Sequence, residues 1–168
     1  MHFFNYIFTP FGIIIVLFAI FFSNPEKNYT IASILTLAVQ FIINFYVFKN
    51  IYKFKHMNAI RFSLVIFNII TTSVVFYFIT AYWAASWLLY IMPPAFASTF
   101  LNRRKTLLLS ILSALSMFFV YWLRSYLLEL EISSTLWAMA LCQGLFIIVI
   151  SLFINNMSEM LVRMRTIK

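Results

Sequence analysis

The chain has 168 residues, of which 64% are hydrophobic and only 10% charged. A soluble domain carries about 25% charged residues, so this composition excludes a water-soluble globular protein and assigns the chain to the bilayer. The net charge of +8 does not denote nucleic-acid binding, because the basic residues fall in the gaps between apolar runs, where the positive-inside rule puts them.

The apolar runs are long and lack the ten-residue alternation of a barrel, which predicts an all-α polytopic membrane helix bundle. Taken in chain order, six transmembrane helices are expected. The first covers about 3–22, with Pro10 near its start, and the second covers 30–48. The third (60–79) and fourth (82–101) share one uncharged stretch from Phe62 to Asn102. At about 1.5 Å per residue that stretch is roughly 60 Å long, enough for two bilayer cores. Its turn is expected near "ITAYW" (79–83), with Trp83 and Trp87 at the interface. The fifth helix covers 106–128 and the sixth 134–154, leaving 155–168 as the start of a cytoplasmic stalk.

Charge sets the orientation. Lys49, Lys53, Lys55 and Arg61 lie in the second loop, Arg103, Arg104 and Lys105 in the fourth, and Arg163, Arg165 and Lys168 in the tail. Only Lys27 and Arg124 fall on the other side, together with Glu26, Glu129 and Glu131. Both termini are therefore expected in the cytoplasm. The loops are too short to fold into a ligand-binding domain. Whatever the chain recognises is met in the bilayer, at its surface or through a transmembrane partner.

No Asp, Glu, Lys, Arg or His lies at the centre of any span. Ion-coupled carriers place one there despite a cost of about 2.5–3.5 kcal/mol. His2 is terminal and His56 lies in a basic loop without an acid to orient it, so no intrinsic catalysis, cofactor or metal site is expected. Cys142 is the one cysteine, which rules out an intrachain disulfide and zinc spacing. No cleavable signal is expected, because the N-terminus lacks Lys and Arg and a small-residue cleavage motif. Glycine is scarce (Gly12 and Gly144), which argues against a transporter built on unwound helices.

Three features remain as candidate sites. Gln40, Asn44, Asn68, Thr72 and Gln143 are polar residues within the spans, with Thr71 and Ser73 beside them. Gln40 and Asn44 are four apart and share a helix face, either as part of a ligand-reading pocket or as ordinary interhelical hydrogen bonds. Pro93 and Pro94 predict a kink in the fourth span, acting as a hinge or standing as a fixed bend. Phe153, Met157, Met160, Met164 and Ile167 follow a 4-3-4-3 spacing, the a/d pattern of a helix seam. That spacing fits a rod continuing into a dimeric stalk. An amphipathic end lying on the membrane fits equally, with Arg163, Arg165 and Lys168 toward lipid phosphates.

The stretch "WLLYIMPPAFASTFLNRRKTLLLSILSALSMFFVYWL" (87–123) resembles the membrane region of bacterial sensor histidine kinases of the PilS/NtrB-like kind. The matching residues are Leu89, Tyr90, Pro93, Ala95, Ala97, Ser98, Arg103, Arg104, Ala114 and Tyr121. The tail "NNMSEMLVRMR" (155–165) resembles the exit helix that leads to cytoplasmic domains. In the third span that family often has an Asp and then a Gly-Gly turn, where this chain has Asn68 and "TAYWAAS" (80–86). The resemblance implies a six-span sensory input module that works as a homodimer in two-component signalling. The kinase domains would lie beyond residue 168 of a longer parent, or else the module is a stand-alone relic. A diguanylate cyclase output fits the same membrane region. Other readings are a small transporter or substrate-capture subunit, or an envelope scaffold.

Overall fold

The computed structural model describes the backbone of residues 2–53, 55–80, 84–128 and 133–166, without the side chains of 2–9, 23, 52, 84, 165 and 166. Among the described residues every regular element is helical. The elements are α1 (His2–Ser23), α2 (Lys27–Asn50), α3 (Met57–Ile79), α4 (Met92–Ala97), α5 (Arg103–Leu128) and α6 (Ser134–Thr166). Two 3₁₀ segments accompany them, Ile51–Lys53 and Ala84–Ile91. Four helices (α2, α3, α5 and α6) are long and apolar enough to cross a membrane, and shorter apolar helices cover Pro10–Phe22 and Ala85–Ala97.

The ends of these helices have local causes. Asn24 adopts φ 43°, and its N–H donates to the Ile20 carbonyl at 3.0 Å, the left-handed termination that asparagine tolerates. Pro25 then blocks continuation. Asn102 caps α5, its Oδ1 accepting from the Lys105 N–H at 3.2 Å, so the helix begins three residues before the predicted span. The three cations of that first turn, Arg103, Arg104 and Lys105, oppose the helix dipole. Ser133 caps α6 in the same way through the Leu136 N–H at 3.3 Å.

The fourth apolar run corrects an expectation. In place of one α-helical span over 82–101, residues Ala84–Ile91 form a 3₁₀ helix, Met92–Ala97 a short α-helix, and 98–100 a turn. The prolines are the reason. Neither Pro93 nor Pro94 has an N–H, so the Tyr90 carbonyl loses both its i+3 and its i+4 donor. The Ser113 hydroxyl of α5 donates to that carbonyl at 2.7 Å instead. A 3₁₀ helix rises about 2.0 Å per residue, so the fourteen residues of the two segments reach roughly 25 Å, close to a bilayer core. The expected kink is thus a change of helix type, with both prolines buried in the first turn of α4.

α3 is the hub. It packs on α2, α5, α4 and the Ala84–Ile91 segment, while α5 runs along α6. Half of α3's most apolar window is buried, against 17% for α2 and 22% for α6, so the outer helices expose apolar side chains that only lipid or another protein satisfies. Phe76, Tyr90, Met117, Val120 and Ile147 form one buried cluster across α3, the 3₁₀ segment, α5 and α6. Gly144 lets α6 approach α5, since a Cβ there would stand 3.0 Å from the Phe118 ring. Trp87 packs edge-on against Phe146 of α6, and Trp83 lies outside the described residues.

Candidate functional site: an intramembrane amide cluster and the α6 clamp

Asn68 stands at the middle of α3 (Met57–Ile79), and α2 lays Gln40 and Asn44 against it. The Asn68 Oδ1 accepts from Gln40 Nε2 at 3.2 Å and from Asn44 Nδ2 at 3.0 Å. In return Asn68 Nδ2 donates to Asn44 Oδ1 at 3.2 Å. Asn44 and Asn68 are buried. Thr72, one turn along α3 from Asn68, extends the polar strip.

This strip lines one wall of a cavity of about 60 Å³. The other wall is apolar, made by Gly12 and Ile13 of α1, Leu89 of the 3₁₀ segment, and Met92, Pro93 and Phe96 of α4. The cavity therefore joins two features that the sequence showed separately, the amide cluster and the Pro93 bend. Among the described residues, no Asp, Glu, Lys, Arg or His lines it.

Gln143 does not belong to this group. It lies on α6, where its Oε1 accepts from the Tyr121 hydroxyl at 3.3 Å. Thr71 and Ser73 bond within α3 to the Phe67 and Ile69 carbonyls, and Ser73 also accepts from the Tyr90 hydroxyl at 3.0 Å.

One residue escaped sequence reasoning. Asn155, near the point where α6 leaves the apolar run, is 1% exposed. Its Nδ2 donates to the carbonyls of Ser98 at 3.0 Å and Leu101 at 3.1 Å. Those carbonyls belong to the turn after α4, where helical partners run out. Arg61 of α3 covers the same turn, its guanidinium 5.6 Å from the Phe100 ring centroid. The Asn155-Asn156 pair at the end of an apolar run reads as solvated, and only the position of Asn155 beside the turn gives it this role.

The helix does not break after Ile154; α6 runs from Ser134 to Thr166. Its buried face is Ala140, Gly144, Ile147, Ser151 and Asn155. At about 100° per residue, Phe153 and Met157 lie roughly 200° from Asn155, on the opposite side. Phe153, Met157, Met160 and Met164 are 59%, 44%, 54% and 52% exposed, and Ile167 lies outside the described residues. The same face extends back through Val149, Phe146, Cys142 and Met139, all exposed. The outer face is thus apolar from Met139 to Met164.

No family model matches this chain, and no match occurs among curated proteins or solved structures.

Proposed function

We propose that the chain is the membrane-embedded sensory input module of a two-component signalling protein. In this reading six segments cross the inner membrane with both termini in the cytoplasm. Two copies pair along the outer face of α6, and that helix carries a membrane or partner-helix signal to a cytoplasmic output domain. The resemblance to PilS/NtrB-like kinases favours a histidine kinase output.

The observation that carries the reading is the unbroken α6, fastened at its exit to the turn after α4 by Asn155. At 33 residues, α6 is about 50 Å long against a bilayer core of about 30 Å, so a rod emerges from the lipid. A movement of α4, which borders the cavity through Met92, Pro93 and Phe96, reaches α6 through that clamp. The outer seam then shifts between two registers, a two-state element that output domains read.

Cysteine scanning in membranes tests this. On a Cys142→Ser background, cysteines at 153, 157, 160, 164 and 167 are expected to cross-link into dimers far more than those at 155 or 158. A flat profile removes the proposal. A second reading, a small substrate-capture subunit, is favoured by the cavity alone. It predicts uptake of a metabolite that a cavity-filling Gly12→Leu abolishes.

A further inference from the structure

The geometry points to a ligand for the cavity: the uncharged, hydrogen-bonding head of a single-chain lipid, such as a long-chain alcohol. This extends the sensory reading by naming a stimulus class.

The cavity lies beside Asn68 at mid-helix, at the depth of the acyl chains rather than the headgroups. A ligand that reaches it must partition into hydrocarbon. Its lining holds no charged side chain, so nothing there compensates an ionised head for its lost hydration. Three primary amides and a hydroxyl offer both donors and acceptors. Asn68 Oδ1 is already occupied twice, whereas the Gln40 carbonyl oxygen accepts no hydrogen bond among the described residues. A head that donates to Gln40 and accepts a spare amide N–H fits that inventory, and a hydroxyl does both.

Size narrows the class further. Each water needs about 10–15 Å³, so about 60 Å³ accommodates a head of a few heavy atoms and not a drug-sized molecule, which needs roughly 300 Å³ or more. The remainder of the ligand would lie outside the cavity, in the surrounding hydrocarbon. Met92, Pro93 and Phe96 form the facing wall, so occupancy bears directly on α4.

The test uses the full chain in nanodiscs with a diazirine-bearing long-chain alcohol as photoprobe. Saturable labelling that unlabelled alcohol displaces is expected. The matching carboxylate and alkane probes are expected to give no saturable labelling. Gly12→Leu, which fills the cavity from α1, and Gln40→Met, which removes the head's partner, are each expected to weaken labelling about tenfold, the equilibrium equivalent of one buried hydrogen bond. Thermal unfolding of both variants confirms that they remain folded. Labelling that does not saturate, equal labelling of the variants, or equal competition by the carboxylate overturns the assignment. Binding is read on the isolated chain, so its failure leaves the α6 cross-linking profile standing, and failure of that profile leaves a binding site without the relay.

Discussion

Asn155 and Asn68 are both buried asparagines on apolar helices, and they do different things. Asn155 satisfies two carbonyls left over when α4 ends. Asn155→Leu keeps the branched outline and strips both hydrogen bonds, with an expected loss of about 1–3 kcal/mol. Thermal unfolding in detergent measures the loss, and proteolysis is expected to find the turn at 98–101 exposed. Asn68 accepts two hydrogen bonds through its amide oxygen and donates one through its amide nitrogen. Replacing it with Leu is expected to cost about 0.6 kcal/mol per lost bond, the usual size of such contacts in membranes. Asn68→Asp is expected to cost more, because an ionised carboxylate cannot donate to Asn44 and carries a buried charge. Comparing the two unfolding midpoints separates the loss of bonds from the burial of charge.

Among the elements, α6 has two faces with different chemistry. The inner one is mostly small, with Ala140, Gly144 and Ser151 around Ile147 and Asn155 at its end, so that α5 and the turn after α4 come close; the outer one is mostly large and apolar. If the helix relays rotation, its phase matters more than its composition. A single residue inserted after Asn156 turns everything beyond it by about 100° while leaving Asn155 in place. In a fusion to a kinase output domain, that insertion is expected to lock or invert output, and a seven-residue insertion to restore the original phase. Autophosphorylation of the fusion measures both. The paired segments Ala84–Ile91 and Met92–Ala97 are the other unusual element, since 3₁₀ runs beyond three or four residues are uncommon. Ser113 holds the junction by donating to the carbonyl that the two prolines leave free.

For the whole molecule, the apolar exterior calls for a bilayer, and the orientation proposed above rests on the distribution of charge. An impermeant maleimide applied to spheroplasts is expected to label a cysteine placed at Asn28, and to reach cysteines at Lys53 or Asn102 only after lysis. Labelling of all three from outside reverses or removes the proposed topology. The inner clusters leave much of α2 and α6 uncovered, so the bundle presents these two helices to lipid or to partners.

Composition and the spacing of apolar runs were enough to reveal an all-helical, lipid-solvated chain, because burying a backbone in hydrocarbon demands internal hydrogen bonds wherever the run lies. The 4-3-4-3 spacing from Phe153 onward was equally visible, being a property of one helix. Three things depended on tertiary packing. Gln40, Asn44 and Asn68 converge while Gln143 stands apart, because α2 faces α3 and α6 faces α5. The fourth run changes helix type rather than merely bending, because a serine on a neighbouring helix supplies the donor that its prolines lack. Asn155 grips a turn more than fifty residues earlier in the chain, a contact that only the approach of α6 to α4 creates.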